Sequence, residues 1–281
     1  MRKQKAFTLV ELLVVISVIA LLLAILMPSL AKARELAYRI VCGQHLKTFG
    51  QASNSYASTY DGFYVPLSFK EFGEDPFKKD PPDFYDYRWL HNDAFIAYIQ
   101  KKELTGADNE KAQKGVYALP KEFLCPSDPV SKDPQNVSKE GVLLSYAYNA
   151  SDWPNEAIWF KYKPDVPLYK GFCGHKIDML KSPADKLQFT DGIDWWCKWY
   201  KGADYRIGWD KLGHSSIDDY KADPYNIDGP VLYRHNEGAN VGFYDGHVEY
   251  LKKQEIFIKE DYDSGTTPKW CGMWTASGWW Q

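Results

Sequence analysis

An apolar run from Phe7 to Pro28 (FTLVELLVVISVIALLLAILMP) constrains this chain more than any other feature. About 20 apolar residues suffice for a helix to span a bilayer, and the run reaches that length. A secretory signal peptide would carry a shorter apolar core followed by a small-x-small cleavage site. Here Met27-Pro28-Ser29-Leu30 offers no such site. Arg2, Lys3 and Lys5 precede the run. Basic residues stay on the cytoplasmic side of a membrane, so the N-terminus is expected inside and the rest of the chain outside. One charge, Glu11, interrupts the run. A carboxylate deep in hydrocarbon costs about 2.5–3.5 kcal/mol, so a partner for Glu11 is expected.

The segment Lys5-Ala6-Phe7-Thr8-Leu9-Val10-Glu11, followed by its apolar helix, resembles the class III signal of type IV pilins and type II secretion pseudopilins. The resemblance implies that a prepilin peptidase cuts between Ala6 and Phe7 and methylates the new Phe7 amine. Ala6 stands where the family usually has Gly. Glu11 becomes the fifth mature residue, and Pro28 falls where many pilins carry a helix-loosening proline. Glu11 of one subunit would pair with the Phe7 amine of a neighbour as helices stagger into a filament. That pairing would compensate an otherwise costly buried charge. The implied partners are other pilin or pseudopilin subunits, the prepilin peptidase and an inner-membrane assembly platform.

The expected organisation is a leader (1–6), a transmembrane helix (7–30), the soluble half of the same helix (31–60) and an exported globular domain (61–281). The expected fold class is α+β and pilin-like, with an antiparallel sheet packed on the helix. From Ala31 to Tyr56 there is no proline, and Leu36, Ile40, Leu46, Phe49, Ala52 and Tyr56 recur near helical spacing. That pattern predicts one buried stripe, with Lys32, Arg34, Glu35, Arg39 and Lys47 in solvent. Asp61-Gly62 is a stop signal, with Gly as the left-handed cap. Residues 70–83 and 101–114 read as loops, 91–103 as a short helix, and 141–149, 186–190, 230–234, 239–244 and 247–251 as strands. Residues 193–229 read as a long insertion, and 261–281 as a tail without periodicity.

Formal net charge drops from −3 to −6 once the three basic leader residues are removed. Such a domain lacks the basic footprint of a nucleic-acid binder. The 11 Trp, 20 Tyr and 14 Phe fit a β-rich core. A rival reading makes Trp195, Trp196, Trp199, Trp209, Trp270, Trp274, Trp279 and Trp280 a glycan-stacking surface delivered by the helix. The five cysteines show neither a CxxC pair nor zinc-ligand spacing, and disulfides are permitted outside the inner membrane. Cys42 lies on the first helix and Cys125 in Leu124-Cys125-Pro126-Ser127-Asp128, a strand end entering a turn. A Cys42–Cys125 bridge would tie the helix to the sheet domain. Two of Cys173, Cys197 and Cys271 can pair, with connectivity left open.

The second specific segment runs from Arg234 to Leu251 and contains His235, nine residues, then Asp245-Gly246-His247. It resembles the H-x9-DG motif (235–246) of large pilin-like proteins of planctomycetes and lentisphaerae. Cys125-Pro126-Ser127-Asp128 and Ser145-Tyr146-Ala147-Tyr148-Asn149 resemble that group too. Asp-Gly favours a two-residue type I′ hairpin, as does the echo at Asp191-Gly192. That turn puts Val241, Phe243, Val248 and Tyr250 on one face, toward the helix, and Tyr244, His247 and Glu249 opposite. His235 would then bond turn backbone. The competing reading is a metal or hydrolytic site at His235, Asp245 and His247, with ligand types that suit divalent metals. Calcium is the softer option, at Ser216-Ile217-Asp218-Asp219 or Glu260-Asp261-Tyr262-Asp263. Neither run matches an EF-hand loop, and a solvated acidic loop is the commoner explanation. With no nucleophile-base motif, P-loop or nucleotide fingerprint, the expectation is a structural subunit without a cofactor, not an enzyme. A type II secretion-like pseudopilus is the first choice of machine.

Overall fold

The computed structural model describes residues 9–65, 68–69, 87–89, 93–100, 123–128, 145–149, 176–180, 182–192, 196–197 and 231–256. A single helix, α1 (Leu9–Thr59), dominates them. Its first half is apolar and exposed from Leu9 to Leu30, and it is the one described helix long and apolar enough to cross a membrane. Ser17 satisfies its hydroxyl on the Val14 carbonyl at 2.8 Å. The helix runs on through Pro28, which has no N–H for the preceding turn. It ends at Asp61 and Gly62, both with positive φ, where the Gly62 N–H donates to the Ala57 carbonyl.

The second half of α1 is amphipathic. Cys42, Leu46, Phe49, Gly50, Ser53, Tyr56 and Ala57 are buried, in steps of three and four that place them on one face. The buried stripe starts later than the sequence pattern predicts. Leu36 and Ile40 are 48% and 63% exposed, because half-buried Glu35 and Arg39 take the domain-facing positions of that turn.

A five-stranded sheet packs on this face, in the order β5-β3-β4-β6-β7. Its strands are β3 (Tyr146–Asn149), β4 (Leu187–Asp191), β5 (Trp196–Cys197), β6 (Gly238–Phe243) and β7 (Val248–Lys252). Four are antiparallel as expected, and the two-residue edge strand β5 runs parallel to β3. A separate ribbon pairs β1 (Ser68–Phe69) with β2 (Tyr87–Arg88). Helix α2 (Asp93–Gln100) falls inside the predicted short helix, and α3 (Lys253–Ile256) follows β7. Among the described residues of the predicted strand at 230–234, Val231 forms an isolated bridge to Gly192 and the Leu232 N–H donates to the Asp191 carbonyl, but no continuous strand forms. Both faces of the sheet are covered. Tyr146, Tyr148 and Phe189 join Cys42, Leu46, Phe49, Trp89, Phe95 and Ile96 under α1. Ala147, Leu187, Ala239, Val241 and Phe243 form a second cluster with Val231, Tyr233 and Ile256.

That second cluster corrects the predicted hairpin. Gly242 pairs with Val248 and Val241 with Glu249, which leaves three loop residues, not two. The Gly246 N–H donates to the Phe243 carbonyl and the Phe243 N–H to the His247 carbonyl. Only Gly246 has positive φ (90°), not Asp245, so the connection is a turn closed by a left-handed bulge glycine and not type I′. One extra loop residue slips the register by one, and a slip of one flips every side chain of a strand. Val241 and Phe243 therefore face away from α1. Gly242 and Asn240 face it, while Val248 contacts the helix-side cluster as expected. The type I′ geometry occurs instead at Asn236-Glu237, both with positive φ, where His235 and Gly238 exchange both backbone hydrogen bonds. Asp191-Gly192 is no hairpin turn either: Asp191 ends β4 and Gly192 bridges to Val231.

Candidate functional site

Three segments distant in sequence converge on two successive turns of α1, from Glu35 to Cys42. Cys125-Pro126-Ser127-Asp128 is a tight turn, closed by the Asp128 N–H on the Cys125 carbonyl at 3.0 Å, with proline at its favoured second position. Every other residue of the turn is used. The Cys125 Sγ lies 2.9 Å from the Cys42 Sγ. Ser127 donates to Glu35 at 3.2 Å. Asp128 accepts from Arg234 at 2.7 Å and from Ser145 at 2.9 Å. Ser145, leading into β3, also accepts the Cys125 N–H at 2.9 Å.

His235 joins this cluster and not Asp245 and His247. Its ring is fully buried, with Nδ1 2.8 Å from the Glu35 carboxylate and Nε2 3.5 Å from the Cys125 Sγ. Asp191 lies 3.9 Å from the same Nε2. The Asp191 Oδ2 accepts the Asn240 N–H at 2.7 Å, while its Oδ1 is buried without a hydrogen-bond partner. Asp245 and His247 pair with each other at 2.6 Å on the more open end of the hairpin, across the length of β6 from His235. The structure thus separates the proposed hydrolytic triad. Glu35, assigned to solvent by its charge, is the residue that sequence reasoning missed. Its position seven residues, about two helical turns, before Cys42 puts it on the same face and was the available signal.

The cluster's electrostatics follow from burial and these contacts. Burial alone would lower the His235 pKa, but Cys125, Asp191 and Glu35 outweigh it and raise it to about 9. Burial pushes Asp191 up to about 6, against the pull of His235 and Arg234. The hydrogen bond from Cys42 lowers the Cys125 pKa, helped by His235 and Arg234, and the same bond together with burial raises that of Cys42. A raised histidine contributes stability that is complete below its unfolded value near 6.5 and disappears as pH rises through about 9. With the thiols reduced, the melting temperature is expected to fall between pH 7 and pH 9.5, a slope that His235→Gln flattens in thermal melts. The groups facing His235 are Glu35 and Cys42 from α1, Cys125 from the turn, Asp191 from β4 and its neighbour Arg234.

Cys42, Cys125 and His235 hold their ligand atoms within 4.8 Å of one another, so a metal deserves a geometric test. Two thiolates on tetrahedral zinc, at about 2.3 Å from the metal, stand about 3.7 Å apart; these sulfurs stand 2.9 Å apart. Cys125, His235 and Glu35 also have the order of a nucleophile, base and orienting acid. Cys125 and His235 are fully buried, however, and the sulfur's neighbour is a second thiol.

The hairpin that carries His235 is moulded to α1. The Asn240 side chain donates to the Arg39 carbonyl at 3.2 Å, and the Arg39 guanidinium sits 4.3 Å over the Tyr250 ring. Gly50 of α1 meets Gly246 so closely that a Cβ there would stand 3.1 Å from the Gly246 Cα. The spacing from His to Asp-Gly therefore measures the distance along α1 between Glu35 and Gly50.

Among the other predicted sites, Glu11 lies near the start of the described part of α1. Cys197 is a buried thiol, its pKa raised by burial. Ala6, Phe7, Cys173, Cys271, both acidic runs and the side chains of the eight tryptophans lie outside the described residues.

Residues 1–27 match the family described as the prokaryotic N-terminal methylation motif. No curated protein and no solved structure matches the chain. The chain therefore carries a type IV pilin-like precursor signal on a helix able to anchor it in a membrane.

Proposed function

We propose that this chain is a structural subunit of a type II secretion-like pseudopilus or a type IV pilus-like filament. A prepilin peptidase processes it between Ala6 and Phe7, and it assembles through the Glu11 carboxylate and the Phe7 amine of a neighbouring subunit. The N-terminus is cytoplasmic before cleavage, and the globular domain lies outside the inner membrane. One observation carries this reading: the methylation motif at residues 1–27 sits on a helix that continues without a break into the core of the domain. Helix α1 is thus both membrane anchor and spine. Leu36, Ile40 and Val41 support it, since they extend the exposed apolar surface of α1 beyond the span, where neighbouring helices would pack.

Mass spectrometry of the N-terminus in membrane and sheared-filament fractions tests the proposal. N-methylated Phe7 is expected in both. An intact Met1 in every fraction would overturn processing, and methylated Phe7 confined to membranes would overturn assembly.

A further inference from the structure

Filament assembly gives no task to the two thiols buried at the seam between α1 and the sheet. We propose that Cys42 and Cys125 are an oxidative modification site, closed after export into a disulfide that staples the spine helix to the globular domain. The inference rests on the reading that the domain is exported, because disulfides persist in oxidising compartments.

The geometry is already close to the product. The sulfurs stand 2.9 Å apart, so a bond of about 2.05 Å requires an approach of under about 1 Å. Both carriers are held. Cys42 lies on a continuous helix. The Cys125 turn is anchored through Ser127 to Glu35, through Asp128 to Arg234 and Ser145, and through its own N–H to Ser145. The sulfurs meet across 83 residues of sequence, and closing so long a loop strongly restricts the unfolded chain.

The oxidant is a disulfide carrier, either a thiol-oxidase protein or a small-molecule disulfide. Before the turn seats on α1, the Cys125 thiolate attacks the carrier disulfide, forms a mixed disulfide and releases one carrier thiol. As the turn seats, the Cys42 sulfur attacks the Cys125 sulfur and its proton passes to the departing carrier thiolate. The S–S bond forms and the second carrier thiol leaves. Two protein thiols are oxidised, and the carrier takes up two electrons and two protons. Seating before oxidation would bury both sulfurs, so the order of events matters.

The test uses the full chain. Protein extracted from membranes without reductant is denatured, alkylated and digested. A single peptide pair linked through Cys42 and Cys125 is expected, with neither residue alkylated. Cys42→Ser should turn Cys125 from unreactive to fully alkylated. Oxidation should raise the melting midpoint of the wild-type chain by roughly 5–15 °C. In a second arm, purified reduced chain in detergent is unfolded and refolded with oxidised glutathione, and metal content is measured in parallel. Failure to close there, a link from Cys42 to another cysteine, or one equivalent of bound zinc in place of the link would overturn the proposal. So would a chain with methylated Phe7 whose two thiols are still reduced in cells. Closure in detergent with an intact Met1 and reduced thiols in cells would instead uphold the site and overturn the export reading.

Discussion

Phe49→Ala is expected to destabilise the globular domain by about 3–5 kcal/mol, the range for truncating a buried phenylalanine. Phe49 is fully buried and is the knob that α1 drives into the sheet. Its ring lies 5.4 Å from Tyr146 and 5.9 Å from Phe189 on adjacent strands, and 5.7 Å from both Trp89 and Phe123. Offset and edge-to-face pairs of this kind each add about 0.5–1.5 kcal/mol beyond area burial. The neighbours cannot collapse into the space easily, because strand pairing fixes two of them. Domains of ordinary stability have about 5–15 kcal/mol in total, so the variant should unfold at a far lower denaturant concentration or undock α1 from the sheet. Denaturant melts of the detergent-solubilised chain, read by tryptophan fluorescence, measure the loss. Phe49→Leu, which keeps most of the volume, should recover more than half of it. A change below about 1 kcal/mol for alanine would mean that α1 does not form the core of the domain.

The features legible in the sequence are those with a local cause. The span is a contiguous apolar run, the helix stop is an Asp-Gly at positive φ, and β4, β6 and β7 lie within a residue or two of their predicted bounds. The hairpin register was not legible, since it depends on whether the loop takes two residues or three. That choice is settled by Gly50 and Gly246 meeting across the helix–sheet interface, not by the Asp-Gly pair alone. Glu35 illustrates the same limit: its partner His235 is 200 residues away, and charge alone assigns it to water. The thiol pair lies between these cases. A cysteine on the helix and one in a turn suggested a link, and proximity came only with the fold. The signature segments at 125–128, 145–149 and 235–246 have no visible relation along the chain. Folded, they form one polar clamp on α1 between Glu35 and Cys42, with the aromatic core behind it.

Glu11→Leu separates the two roles that a membrane-embedded carboxylate can have. As a residue of a plain anchor, Glu11 only costs energy, so leucine would relieve about 2.5–3.5 kcal/mol of insertion penalty if the site is deep and leave every other property intact. As a partner for the Phe7 amine of the next subunit, its removal strands a positive charge in a low-dielectric contact. Breaking such a buried pair by removing one member costs about 3–5 kcal/mol. At 1.4 kcal/mol per decade, that is a fall of at least about 100-fold in subunit incorporation. The expected result is therefore normal or increased chain in the membrane fraction and almost none in sheared filaments, scored by immunoblot of both. Glu11→Gln keeps the shape and loses the charge, and should fail in the same way. Wild-type filament yield from either variant would sink the pairing mechanism and leave α1 as an anchor alone.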